Sequence, residues 1–123
     1  MTQCSQVMTS NPVSCLGSDP ISSVCQQMQI QDIGSIPVVT DHESKKLIGI
    51  VSDRDIALRV VGAGLETKNT LVADVMTPNL VACHDFESVN TVLDAMALHR
   101  LRRIPIIDAN GQLLGIISQA DVA

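Results

Sequence analysis

The chain has 123 residues, 46% of them apolar, a formal net charge of −5, and one Phe with no Trp or Tyr. That length supports one ordinary core, built here from Val, Ile, Leu, Met and Ala, while the missing aromatics and acidic balance exclude stacking platforms and argue against nucleic acid or an anionic membrane as partner. No apolar run reaches the ~18 residues of a membrane span, and the polar start Met1 to Gln6 lacks the hydrophobic stretch of a signal peptide, so a cytoplasmic protein is expected.

In chain order, Ser5 to Met8 reads as a short helical lead-in, and Val13 and Cys15 as a short strand. Asp19-Pro20 offers an N-cap followed by proline at the first helical position, where a missing N–H costs nothing. Ile21, Val24, Cys25 and Met28 then recur on one helical face. Ser35-Ile36-Pro37-Val38-Val39 is rich in β-branched residues and predicts a strand, with the interior proline suggesting an edge or an irregular start. A turn over Asp41 to Lys46 leads to a returning strand, Leu47 to Val51, and Ser52 can cap a helix from Asp53 to Val60. Gly62-Ala63-Gly64 through Asn69 is a polar linker, and Leu71 to Met76 a second short lead-in helix.

The same order then recurs. Val7-Met8-Thr9 returns as Val75-Met76-Thr77, Asn11 as Asn79, Val13 as Val81, Cys15 as Cys83, Val24 as Val92, Met28 as Met96, and Ile36-Pro37 as Ile104-Pro105. The second turn is the tighter Asp108-Ala109-Asn110-Gly111, a strong hairpin signal. Gly49 to Asp55 is answered by Gly115 to Asp121. Each copy is thus β-α-β-β-α with a helical lead-in, and the two are too short to be comfortable alone, so a shared α+β arrangement follows. The sequence divides into repeat 1 (1–62), a linker (63–70) and repeat 2 (71–123), whose last helix stops early.

Gly-apolar-apolar-Ser-x-x-Asp ends both copies. Such a strand-to-helix junction is receptive to phosphate; Ser52 and Ser118 add hydroxyls, and Asp55 and Asp121 can accept from ribose hydroxyls. The same spacing is equally a variant of the capping box, in which both side chains only satisfy orphan donors. The cysteines Cys4, Cys15, Cys25 and Cys83 lack zinc-type spacing. Burial as small hydrophobes is the default for Cys15, Cys25 and Cys83, with a redox or metal role for a Cys15–Cys83 pair as the alternative. His42, His84 and His99 are scattered over turns. No constellation for catalysis or metal binding is visible, so neither an enzyme nor a required cofactor is expected.

The Val-Met-Thr openings, the Ile-Pro-Val-Val and Ile-Pro-Ile-Ile strands, and the Gly-Ile-Val-Ser-Asp-Arg-Asp and Gly-Ile-Ile-Ser-Gln-Ala-Asp endings resemble a tandem pair of CBS (cystathionine β-synthase) domains, a Bateman module of the small stand-alone prokaryotic type. The resemblance spans Gln6 to Ala123. It implies two repeats packed sheet to sheet with pseudo-two-fold symmetry, and clefts between them that bind AMP, ADP, ATP or S-adenosylmethionine. It also implies a homodimer, regulation of an effector protein that the sequence does not name, and no catalysis. Asp55 and Asp121 match the family's ribose-binding position, and Ser52 and Ser118 its phosphate-side hydroxyl. Thr9 to Val13 and Thr77 to Val81 match the strand that reads the base. Ile36-Pro37 and Ile104-Pro105 would wall the adenine. Arg102 and Arg103 are phosphate candidates as well as a solvated turn; Gly34-Ser35 stands there in copy one. Arg54 is a further candidate, opposite Ala120. The competing functions are a ligand-free dimerisation module and a thiol sensor.

Overall fold

The computed structural model describes residues 1–78 and 81–122; Asn79, the counterpart of Asn11, and the terminal Ala123 lie outside the described residues. The chain is a mixed α+β protein with two sheets. It forms two compact units that do not follow the repeat boundary: one is residues 13–79, the other residues 1–12 with 80–123. We call them the Asp55 unit and the Asp121 unit.

The Asp55 unit begins with strand β2 (Cys15–Leu16) and helix α2 (Ile21–Gln31). The hairpin β3 (Ser35–Val39) and β4 (Leu47–Ser52) runs into helix α3 (Asp53–Ile56). Strand order is β2-β3-β4, with β2 parallel to β3 and β4 antiparallel to it. The helix expected over Asp53 to Val60 changes character on the way: after α3, Ala57–Val61 is a π-helical turn, closed by the Gly62 N–H on the Ala57 carbonyl at 2.8 Å. Short 3₁₀ turns at Thr67–Asn69 and Val72–Asp74 complete the unit. Ile21, Val24, Ile36, Val38, Val51, Val60 and Val72 fill its core.

The Asp121 unit carries helix α1 (Cys4–Val7), β1 (Thr9–Ser10), β5 (Cys83–His84), α4 (Val89–His99), β6 (Arg103–Ile107), β7 (Leu113–Ser118) and a 3₁₀ turn at Gln119–Asp121. Its sheet order is β1-β7-β6-β5. Val92, Met96, Ile104, Ile106 and Ile117 make the core together with Cys4 and Cys83.

Each lead-in therefore packs on the other repeat's sheet. The Thr2 carbonyl accepts the Val89 N–H at the start of α4, and the Thr70 carbonyl accepts the Ile21 N–H at the start of α2, at 2.9 and 2.8 Å. Cys4 and its counterpart Val72 are both fully buried. Thr9 pairs with Ile116 of β7, and Thr77 with Ile50 of β4.

Two expectations are corrected. Pro37 and Pro105 lie in central strands, β3 and β6, not at edges. Two-residue β2 and β5 reach only Val38–Val39 and Ile106–Ile107, so neither proline faces a neighbour that needs its missing donor. Asp19 does not cap α2: the N-cap is Pro20. The Asp19 carboxylate turns back to accept the Leu16 N–H at 2.9 Å, because Thr70 already serves the helix start.

Candidate functional site

At the end of β4 the chain leaves the sheet with Ser52 extended (φ −115°, ψ 162°) and enters α3. Helix starts leave N–H groups unpaired, and the motif answers reciprocally. Ser52 Oγ accepts the Asp55 N–H at 3.1 Å, and Asp55 Oδ2 accepts the Ser52 N–H at 3.0 Å. In the Asp121 unit, Asp121 Oδ2 accepts the Ser118 N–H at 2.8 Å. The capping function is thus built in both units. It occupies one carboxylate oxygen. The other oxygen of Asp55, Oδ1, accepts the Thr77 hydroxyl at 3.4 Å.

The glycine of each motif has a separate duty. A Cβ on Gly115 would lie 2.5 Å from Met8 Sδ and 2.8 Å from the Thr9 carbonyl oxygen. On Gly49 it would lie 2.8 Å from Met76 Sδ and 3.0 Å from the Thr77 carbonyl oxygen. Val-Met-Thr and Gly-apolar-apolar-Ser are therefore two halves of one packing device, drawn each time from different repeats. Sequence reading matched both motifs but missed their partnership. The signal available was their joint duplication.

The two junctions differ in charge. In the Asp121 unit the Gln119 N–H donates to the Arg102 carbonyl at 2.7 Å, and Arg103 faces Ser118 in register. Both arginines thus flank the Ser118–Asp121 frame, and Asp121 is exposed. In the Asp55 unit the Asp53 N–H donates to the Gly34 carbonyl at 2.8 Å. The Asp53 carboxylate lies over Gly34, where a Cβ would come within 3.1 Å of Oδ2. Ser35 faces Ser52 there, its hydroxyl buried and without a hydrogen-bond partner among the described residues. An acid stands where the other junction has a base.

Of the remaining candidates, Ile36, Pro37, Ile104 and Pro105 are buried in the central strands. Val13 is half-buried beside the Asp55 core and Val81 beside the Asp121 core. Arg54 is exposed on α3. Thr9 joins the Asp121 unit and Thr77 the Asp55 unit, each at the edge of the sheet.

Cys15 and Cys83 sit in the cores of different units. Burial, reinforced by Asp19, pushes the Cys15 thiol up to about 12, and burial with Glu87 and Cys4 nearby pushes Cys83 up to about 11. Both are thiols at neutral pH, the protonation state that reacts least. Among the described residues no group of three or more His, Cys, Asp or Glu side chains is placed to hold a metal ion, and no helix is long and apolar enough to cross a membrane.

The CBS domain family model matches the chain twice, over residues 4–62 and 72–123, and the chain belongs to that family. Uncharacterized protein YlbB of Bacillus subtilis (strain 168) is 36% identical over 124 residues, covering 100% of this chain and 81% of that one. The crystal structure of Hypoxic Response Protein I with two coordinated zinc ions matches with a TM-score of 0.89 at 26% identity, over 98% of this chain and 96% of that chain. CBS domain protein PAE2072 from Pyrobaculum aerophilum, complexed with AMP, matches with a TM-score of 0.88 at 23% identity, over 99% and 91% of the two chains. The likeness to PAE2072 carries the fold alone.

Proposed function

We propose that the protein is a non-catalytic regulatory module that binds an adenine nucleotide, AMP, ADP or ATP, through its Ser-x-x-Asp junctions. One observation carries the reading. Asp121 makes its cap through one oxygen, Oδ2, and Asp55, which caps in the same way, accepts a hydroxyl with its other oxygen. The cap and ribose recognition therefore do not compete: a carboxylate has lone pairs for both. PAE2072 holds AMP, which is consistent with this reading and does not decide it.

The charge difference ranks the two junctions. Arg102 and Arg103 favour phosphate beside Ser118 and Asp121, while Asp53 opposes it beside Ser52 and Asp55. The Asp121 junction is the nucleotide site in use. Ligand then biases the arrangement of the protein and of whatever effector reads it, by differential affinity for two states. The module acts in the cytoplasm as a homodimer; Leu58 and Val61, 59% and 66% exposed, supply apolar surface for a second copy.

Titration calorimetry with AMP, ADP, ATP and S-adenosylmethionine tests the reading. Binding of one or more nucleotides, lost in Asp121→Ala, is expected. Absence of heat and of thermal stabilisation with all four would sink it. Light scattering after gel filtration tests the dimer, and a monomer at micromolar concentration rules it out.

A further inference from the structure

Helices α2 and α4 end in the same way. Each closes on a residue in the left-handed region, Asp32 (φ 53°, ψ 51°) or Arg100 (φ 56°, ψ 43°), whose N–H donates to the Met28 or the Met96 carbonyl. Two residues earlier stands an aliphatic side chain turned to solvent: Ile30 is 71% exposed and Leu98 77% exposed. The two ends share one backbone shape and one apolar tip, and they differ in charge.

The end of α2 carries Asp32, and just beyond it Asp53, whose N–H donates to the Gly34 carbonyl. The end of α4 carries Arg100 and Arg102; three of the chain's eight Lys and Arg fall within positions 100–103. Asp32, Arg100 and Arg102 are exposed, and their side chains make no ion pair or hydrogen bond among the described residues. The helix end does not call for Arg100, because the left-handed region there favours Gly or Asn. A lone exposed aliphatic needs no partner. Two in matched positions, each beside unpaired charge of opposite sign, are complementary surfaces.

Charge selects the pairing. Two α2 ends would set Asp32 against Asp32, and two α4 ends Arg100 against Arg100, so contacts between like ends are repelled. An α2 end against an α4 end joins Ile30 to Leu98 and Asp32 to Arg100. Both ends are exposed within the single chain, so the complementary end must come from another molecule. We propose that the end of α2 in one copy of this chain docks on the end of α4 in a second copy. The contact is heterologous and so can add copies beyond a pair, and it is separate from the face at Leu58 and Val61.

Sedimentation equilibrium of the full chain tests it in a Leu58→Glu background, which removes the other contact between copies. Concentrations should reach about 1 mM, since so small a contact is weak. The average mass is expected to rise with concentration. Arg100→Asp and Asp32→Arg should each weaken the association about tenfold or more, and the double variant, with the two charges exchanged, should restore it. Leu98→Ser should weaken it with every charge in place. A mass that stays at one copy throughout, single reversals that change nothing, or a double variant that fails to recover overturns the contact. All these variants keep Ser52, Asp55, Ser118 and Asp121, so nucleotide calorimetry reads the junctions separately. Association without nucleotide binding sinks the junction reading alone, and nucleotide binding by a chain that stays single sinks the contact alone.

Discussion

The Thr77 hydroxyl donates to Asp55 Oδ1 at 3.4 Å, joining the opening of the second repeat to the ending of the first. Thr77 is held there by its backbone, whose N–H and carbonyl both bond to Ile50 at 2.9 Å. Thr9, its counterpart, also pairs along the sheet edge, with Ile116, but its hydroxyl makes no hydrogen bond to Asp121. The junction beside Asp53 thus has an internal hydroxyl on the oxygen that a ribose would use.

Removing that hydroxyl should expose the oxygen. Thr77→Val is expected to change stability by well under 1 kcal/mol, since the bond is long and Thr77 is exposed. Asp55→Ala removes the cap acceptor as well and should cost about 1–2 kcal/mol. Urea denaturation of both variants checks the order. A Thr77→Val cost equal to that of Asp55→Ala would mean the cap is not the main contribution of Asp55.

Much of this was legible in the sequence. Helices α2 and α4, the paired strands and the Asn-Gly hairpin all appear where the sequence placed them, because Val24 and Val92, Ile36 and Ile104, and Val51 and Ile117 face the core in each copy. Leu93, on the expected apolar face of α4, is instead 39% exposed. The lead-ins were legible as elements but not as partners. Nothing local to Ser5–Met8 says that it packs beside β7; the contacts that hold it, the Cys4 N–H on the Glu87 carbonyl, Thr9 paired with Ile116 and Met8 against Gly115, all come from distant segments. The π-helical turn was likewise hidden, since its hydrogen-bond shift leaves the apolar spacing of Ile56 and Val60 unchanged. Asp19 and the two prolines departed from expectation for different reasons: the Thr70 carbonyl, from a distant segment, serves the start of α2, and β2 and β5 are too short to reach Pro37 and Pro105. At the site, Ser52, Asp55, Ser118 and Asp121 were readable by spacing, whereas the placement of Asp53 over Gly34 needed the fold.

Gly115→Ala tests the packing device. Its Cβ meets both a flexible methionine end and a backbone oxygen at 2.8 Å, so relaxation of Met8 alone cannot absorb it. The expected loss is about 1–3 kcal/mol, somewhat less for Gly49→Ala, where the approach distances are longer. Combining Gly115→Ala with Met8→Ala should recover only part of the loss. Full recovery would place the clash on the side chain and discard the role of the Thr9 backbone. Thermal melts of the single and double variants decide it.

Alkaline stability should follow the buried thiols. Cys15 and Cys83 are raised in the folded state to about 12 and about 11, so above the unfolded thiol range the unfolded chain binds fewer protons than the native one. Stability is then lost as pH rises from about 9 toward the folded values. Cys15→Ala should flatten that alkaline slope, at the cost of a small core defect present at every pH. Urea midpoints measured at pH 8 and pH 10 separate the two effects; an unchanged slope in the variant would remove Cys15 from the account.

At the acid end Asp41 acts with the opposite sign. Its carboxylate accepts the Ser44 hydroxyl, the Ser44 and Glu43 N–H groups and the Thr40 hydroxyl, which lowers its pKa from 3.8 to about 2. The stabilisation is complete above the unfolded value and disappears as pH falls through the folded one. Asp41→Asn should therefore reduce the difference in melting temperature between pH 5 and pH 2. No change would show that the turn opens without affecting the fold.

The arginine pair offers the sharpest test of unequal junctions. Arg102 and Arg103 stand beside Ser118, and the junction at Ser52 has Gly34 and Ser35 in their place. Replacing both with Ala should weaken ATP more than AMP, because each added phosphate contributes charge that the pair would have met. The reciprocal change, Gly34→Arg, forces Asp53 to move and gives it a cation to pair with, so a gain of nucleotide binding at Asp55 is expected only together with Asp53→Ala. Calorimetry at two salt concentrations reads both outcomes, since charge-driven binding falls as ionic strength rises. Equal weakening of AMP, ADP and ATP, with no salt dependence, would assign Arg102 and Arg103 to the solvated turn after α4 instead.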